Sequence, residues 1–340
     1  MQQTYIGLDV GRSAVKAMAY AEGRIYDLLF PSVVSLAIPI SDEATAAKAE
    51  AETVEVNGKL FFTGDTARVQ SGATTSTGLS NDWIESPEYH ALVLSAMKRL
   101  KAKGVPGLDN AFIVVGTPAA QYRIQRERLE QVTKAAVNAE VKALSQPMGA
   151  YLSWAFNESG LPLQDKLQNQ SGRKKSWAVV EVGYFSTDFL LMKEGSYIES
   201  KSQSCEGIYL ASEHLVRILA EKRQMKVTPL ECEQALRSKT VLHYGEKHVE
   251  AEVNEAAEFV VTKIMAKANF LFSDEVSKLD GILIAGGGAP LVSPSLQKKW
   301  PNSIVLPQPR MAVADGFLRH ARALGLKRAV AGAQQAKVQA

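Results

Sequence analysis

The chain has 340 residues, 46% of them hydrophobic and 22% charged, which fits two globular domains and excludes a disordered or fibrous protein. Its net charge of +3 gives no grounds for a nucleic-acid groove or a membrane-binding surface. Two cysteines, Cys205 and Cys232, stand in no zinc or disulfide spacing and read as buried small hydrophobes in a reducing compartment.

The polar start, Met1-Gln2-Gln3-Thr4, lacks the basic-then-apolar pattern of a secretory leader. No uncharged apolar run approaches the roughly 18 residues of a membrane span, so a soluble cytoplasmic protein without membrane contact is expected. Residues 5–10 and 15–20 read as two strands around a turn at Gly11-Arg12-Ser13. Residues 41–52, rich in Ala and Glu, suggest a short surface helix or mobile loop. Residues 54–62 form a hairpin on a type I′ Asn57-Gly58 turn, and 63–82 read as an exposed loop. Tyr89, Leu92, Val93, Ala96, Met97 and Leu100 share a helical face that Gly104 stops, and 111–116 is a buried strand. Arg123, Arg126 and Arg128 read as a solvated helix face.

A polar stretch, 164–176, connects two halves, and the N-terminal pattern then returns. Residues 177–183 form a strand, 184–186 a turn, 187–192 a second strand, and Gly195 leads a third through Ser202. This strand, acidic residue, Gly turn and strand recur about 170 residues apart, a weak internal repeat. A capped helix starts at Thr228-Pro229. A long amphipathic helix follows, with Val253, Ala257, Val260, Ile264, Ala268 and Leu271 on its apolar face. The strand 281–285 runs into Gly286-Gly287-Gly288. Residues 313–326 are helical, and 329–340 read as a frayed Ala/Gln tail that Lys327, Arg328 and Lys337 would solubilise.

Three of these segments carry chemistry. In Asp9-Val10-Gly11-Arg12-Ser13-Ala14-Val15-Lys16 the turn offers backbone N–H groups to phosphate, Asp9 can bind Mg²⁺ through water, and Lys16 can reach back to a phosphate. Alone, Asp-x-Gly is common in ordinary turns. Glu181-Val182-Gly183-Tyr184-Phe185-Ser186-Thr187-Asp188 repeats the arrangement, and two such hairpins facing a cleft can clamp one polyphosphate. Gly286, Gly287 and Gly288 let backbone approach a flat ring or a phosphate, and Pro290 can open a helix whose N-terminus favours anions. Glycines this late in the chain fit a dinucleotide-binding fold poorly. His243 and His248 flank Gly245 and read as a surface loop, not a metal site.

The order of these motifs resembles the actin superfamily: phosphate 1, phosphate 2 and adenosine. Residues 145–150 resemble its first connecting helix, including Gln146, and 312–317 its second, so the resemblance spans residues 5–320. Gly-Tyr-Phe-Ser-Thr-Asp-Phe and the chain length look most like plasmid-segregation actins of the ParM/StbA type. The implied fold is α/β, with actin-like (ribonuclease H-like) duplicated domains and a nucleotide cleft between them. Domain I would cover 1–165 plus 312–330, with a small subdomain near 31–84. Domain II would cover 166–311, with a small subdomain near 206–269, leaving 331–340 as a flexible tail.

The resemblance implies a filament-forming ATPase that binds ATP, with GTP as the alternative, and Mg²⁺. It implies self-association and a DNA-binding adaptor that segregates plasmid or other DNA, without direct DNA contact. Carried over motif by motif, Asp9 holds the Mg²⁺ shell and Gly11, Arg12, Ser13 and Lys16 the phosphates. Gln146 orients the attacking water. Gly183, Tyr184, Phe185 and Ser186 bind the γ-phosphate, with Asp188 supporting their turn, and Gly286, Gly287 and Gly288 pack on adenosine. Glu181 stands where the family usually has Asp; it keeps the charge for water or metal but moves it one methylene out. A small-molecule kinase, a chaperone-like ATPase and a cell-shape actin are the alternatives. No motif supplies the kinase's substrate loops, nothing resembling a peptide-binding domain is present, and no amphipathic anchor helix opens the chain.

Overall fold

The computed structural model describes residues 3–71 and 82–338. The chain divides into two compact units, one of residues 1–117, 121–163 and 313–340, the other of 118–120 and 164–312.

In the first unit the strands are β1 (Tyr5–Val10), β2 (Ala14–Ala21), β3 (Arg24–Pro31), β4 (Val34–Leu36), β5 (Thr53–Val56), β6 (Lys59–Thr63), β7 (Phe112–Thr117) and β8 (Glu140–Ser145). The helices are α1 (Glu43–Ala51), α2 (Gly64–Ser71), α3 (Pro87–Ala102), α4 (Ala119–Val137) and α5 (Gln146–Ala155), α4 taking its first residues from the second unit. The main sheet has the order β3-β2-β1-β7-β8, antiparallel through β1 to β3 and parallel from β1 to β8. A small sheet, β4-β6-β5, stands apart. Its hairpin turns at Asn57 (φ 50°) and Gly58 (φ 75°), the double positive φ of a type I′ turn. Central β1 is buried along nearly its whole length, as a strand covered on both faces must be. Ile6, Leu8, Val15, Leu92, Leu100 and Ile113 anchor the core.

The second unit repeats the plan. Its helices are α6 (Gln164–Leu167), α7 (Tyr209–Arg223), α8 (Pro229–Ser238), α9 (Glu250–Phe272) and α10 (Ala289–Lys299). Its strands are β9 (Trp177–Val182), β10 (Ser186–Lys193), β11 (Ser196–Tyr197), β12 (Gln203–Glu206), β13 (Thr240–Leu242), β14 (Glu246–His248), β15 (Gly281–Ala285) and β16 (Ser303–Val305). The sheet order β11-β10-β9-β15-β16 matches the first unit strand for strand: an antiparallel hairpin, then two parallel strands. The expected α9 face is buried in full, with Val253, Val260, Ile264, Ala268 and Leu271 at 1% exposure or less. Thr228 and Glu231 close a capping box at the start of α8. A last helix, α11 (Ala312–Val338), returns the chain to the first unit.

Five expectations need correction. The loop expected over 63–82 begins as helix α2, and 72–81 lies outside the described residues. The third strand expected after Gly195 is two short strands, β11 and β12, separated by a single 3-10 turn at Glu199–Lys201. The flexible tail expected over 331–340 is helical through Val338. Extending an existing helix through alanine-rich sequence costs little once it has nucleated. Arg328, expected only to aid solubility, forms a bidentate pair with Glu140 (2.7 and 2.5 Å) and lies over Phe112. Finally, Cys232 is buried but Cys205 is half-exposed, because β12 is an edge strand. Burial raises both thiols to about 12, which keeps them protonated and unreactive.

Candidate nucleotide site

In the first unit the β1–β2 register sets Asp9 directly opposite Lys16, so their side chains share one face. Lys16 Nζ lies 2.9 Å from Asp9 Oδ2, and Gln146 Nε2 donates to Asp9 Oδ1 at 2.9 Å from the first turn of α5. Asp9 is 1% exposed, so both carboxylate oxygens find partners in a dry setting. Gly11 is a close-packed position: a Cβ there would meet Ala14 O at 2.9 Å and Lys16 Nζ at 3.0 Å.

The turn is held by its carbonyl side. Ser32 Oγ donates to the carbonyl of Gly11, and Ser32 N–H donates to that of Ser13 at 3.0 Å. A trans peptide carries its N–H opposite its C=O, so the amides of Arg12 and Ala14 point away from Ser32. They form a small anion-accepting edge beside Lys16.

The second unit builds the same device from different parts. The N–H groups of Gly207, Ile208 and Tyr209 donate to the carbonyls of Phe185 (2.9 Å), Gly183 (3.2 Å) and Tyr184 (2.8 Å). These donors lie at the entry to α7, running from Gly207 through the N-cap Ile208 to the first helical residue, Tyr209. By the same peptide geometry, the amides of Tyr184, Phe185 and Ser186 point the other way. The Tyr184 and Phe185 rings meet edge to face at 4.8 Å, and Phe185 packs on Tyr209 at 5.6 Å. What these two residues offer a ligand is therefore backbone, not side chain.

Here the register opposes two carboxylates, Glu181 and Asp188, a like-charge pair that is unfavourable unless compensated. Asp188 is fully buried and accepts from Ser186 Oγ (2.7 Å), Ser204 Oγ (2.5 Å) and Ala119 N–H (2.6 Å). It thereby fixes Ser186 in the turn. Glu181 is 6% exposed and lies under both Gly183 and Gly286.

At the end of β15, Gly286 has φ +92°, and a Cβ there would collide with the Val182 carbonyl and the Glu181 carboxylate. Gly286 N–H donates to Pro309 O and Gly288 N–H to Val182 O, both at 2.8 Å, so the loop lies flat across β9. Arg310 packs over Gly287, where a Cβ would sit 3.7 Å from its side chain. Burial lowers the Arg310 pKa, and neighbouring Arg237, paired with Glu233, adds to the effect. The loop thus carries a flat, cationic border.

Asp9, Gly11, Arg12, Ser13, Lys16 and Gln146 come together in the first unit. Glu181, Gly183, Tyr184, Phe185, Ser186, Asp188, Gly286, Gly287 and Gly288 come together in the second. The sequence reading missed Ser32, Gly207 and Arg310. Gly207, between a strand and a helix start, was the readable signal; the other two act across sequence gaps that no local pattern spans. Among the described residues no group of three or more His, Cys, Asp and Glu is placed to hold a metal, His243 and His248 included. No described helix is long and apolar enough to cross a membrane.

Comparison with known proteins agrees with this fold. Residues 7–149 match the family described as actin-like proteins, N-terminal domain, and residues 179–298 the archaeal actin homologue MreB-like C-terminal domain. No curated protein matches. The fold resembles a 15-stranded ParM filament from Clostridium botulinum (TM-score 0.76, 18% identity, covering 95% of this chain and 99% of that one). It also resembles an archaeal actin homologue in complex with ADP (TM-score 0.70, 19% identity, 93% and 98% covered) and a MamK double helical filament (TM-score 0.67, 17% identity, 94% and 99% covered). With both halves matched in order on a duplicated sheet, the chain belongs to the actin-like proteins.

Proposed function

We propose that the chain is a nucleotide-dependent, filament-forming ATPase that segregates plasmid or other DNA through a DNA-binding adaptor. The observation that carries the nucleotide reading is the matched pair of hairpin turns. Each has its carbonyls clamped from behind, by Ser32 in one unit and by Gly207, Ile208 and Tyr209 at the entry to α7 in the other. Each therefore offers amides to an anion, and each stands at the same place in a repeated sheet. One such turn is ordinary; two in register suit a polyphosphate.

The residues fit Mg-ATP. The amides of the two turns and Lys16 hold phosphate oxygens, and Gly286, Gly287 and Arg310 offer a flat cationic surface to the purine. Asp9, through water, and Glu181 are the carboxylates that would hold Mg²⁺ beside the phosphates. When bound, the ion neutralises charge building on the phosphates. The hydrogen bond from Gln146 to Asp9 supports a role for Gln146 in orienting a water, a task that needs direction more than basicity. Filament formation and plasmid segregation rest on the actin-like family and on the filament-forming proteins of like fold. ATP is favoured over GTP by resemblance alone.

The test is light scattering and sedimentation with Mg-ATP, a slowly hydrolysed analogue, ADP and no nucleotide, followed by electron microscopy. Polymer should appear above a critical concentration with Mg-ATP and shrink as ADP accumulates. A chain that stays monomeric in every nucleotide state, yet phosphorylates an added small molecule, is a kinase and overturns the filament reading.

A further inference from the structure

Arg12 sits at the tip of the β1–β2 turn, and its guanidinium lies over the Trp83 ring with Cζ 5.8 Å from the centroid. That is within reach of cation–π attraction. Trp83 opens the short 3-10 turn Trp83–Glu85 and is 7% exposed.

The ring is held in place from several sides. Tyr89 meets it edge-on at 6.3 Å, and Tyr89 is itself fixed by a 2.9 Å hydrogen bond to Thr133. The neighbouring Glu85 is bonded to Arg128 at 2.7 Å, and Ser86 caps α3 by accepting from Tyr89 N–H at 3.1 Å. Burial raises the Tyr89 hydroxyl pKa, and the nearby negative charge of Asp9 adds to the shift. The aromatic pair thus carries Arg12 on one ring and lies within reach of the Asp9 charge through the other.

The indole N–H of Trp83 is buried without an acceptor among the described residues. A buried donor left unpaired is destabilising. Among the described residues, what this tryptophan contributes is its ring face, and the charged group on that face is Arg12.

We propose that Trp83 is the positioning residue for Arg12: its ring holds the guanidinium beside the phosphate turn, poised to engage the bound polyphosphate. The inference rests on the nucleotide reading above. A flexible arginine loses side-chain freedom on meeting a phosphate, and a ring that already confines it reduces that loss. The guanidinium keeps its ring contact as it turns toward phosphate, so the cation–π attraction adds to the charge-assisted contact.

The test is a double-mutant cycle read by calorimetric titration with Mg-ATP, combined with tryptophan fluorescence. Trp83→Leu should weaken Mg-ATP binding about tenfold, the scale of one cation–π contact. Trp83→Phe, which keeps an aromatic face, should stay near wild type. In the Arg12→Ala background Trp83→Leu should cost nothing further. Mg-ATP should change wild-type tryptophan emission, and Trp83→Phe or Arg12→Ala should abolish that change. Equal losses from Trp83→Leu with and without Arg12, or a Phe variant as weak as the Leu variant, overturn the proposal while leaving nucleotide binding intact. If the Leu variant does not fold, persistence of the emission change in Arg12→Ala overturns it instead. Failure of the wild type to bind Mg-ATP removes both this inference and the nucleotide reading.

Discussion

Removing the charge of Asp9 should affect stability and ligand binding separately, and the two effects can be told apart. The Asp9 side chain is 2% exposed and that of Lys16 14%, with 2.9 Å between their charged atoms. Breaking a buried pair by neutralising one partner costs about 3–5 kcal/mol, because the other charge is stranded. Lys16 retains some solvent, so the low end, about 3 kcal/mol, is expected for Asp9→Asn. In a unit of this size that lowers the melting temperature by about 6–12 °C. Adding Lys16→Met removes the stranded cation and should recover at least half of the loss. Mg-ATP affinity should not recover, since both the phosphate cation and the carboxylate behind the metal's water shell are gone. Thermal and urea unfolding of the three proteins measure the first effect, and calorimetry with Mg-ATP the second. An Asp9→Asn protein within about 1 kcal/mol of wild type refutes the buried pair. Unchanged Mg-ATP affinity removes Asp9 from the site.

Gln146→Ala should bind ATP within a few-fold of wild type but hydrolyse it at least about tenfold more slowly, as loss of one orienting contact implies; phosphate release at the wild-type rate would refute the role. Gly286→Ala combines a φ of +92° with collisions against Val182 and Glu181, and should cost about 3 kcal/mol or more. Gly23→Ala, at φ +81° with nothing within 4 Å, should cost only about 1 kcal/mol by urea unfolding. For Asp280, burial raises the pKa, but the hydrogen bonds from Arg173 (2.6 Å) and Ser176 N–H (2.8 Å) outweigh it and hold the carboxyl below its ordinary range. A depressed folded-state pKa gives stability that is present above the ordinary carboxylate value and lost as pH falls through the folded one. Asp280→Asn should therefore flatten the acid limb of the stability curve, with a loss near neutral pH of about 1 kcal/mol because Arg173 is half-exposed. An unchanged acid limb refutes the assignment.

Much of the molecule was legible in the chain itself. Period-two alternation and buried apolar runs located β1, β2, β7, β9, β10 and β15, and the 3.6-residue period located α3 and α9, because burial of one face imposes those periods. The two Asp/Glu-Gly turns and the triple glycine stood out because few residues besides glycine tolerate such backbone or such close approach. Tertiary structure decided what depends on partners distant in sequence. Strand β3 and helix α7 carry weaker local signals and are set by their neighbours, β2 in one case and α9 in the other. The amide edge of each turn depends on which side its carbonyls are held, and Ser32 and Gly207 come from other segments. Whether a charged residue faces an ion partner or a like charge is a matter of register, which gave Asp9 a lysine and Glu181 an aspartate at the matching place in the repeat. Local sequence fixes which residues can turn, pair and pack, but strand register and crossover connections set which of them meet.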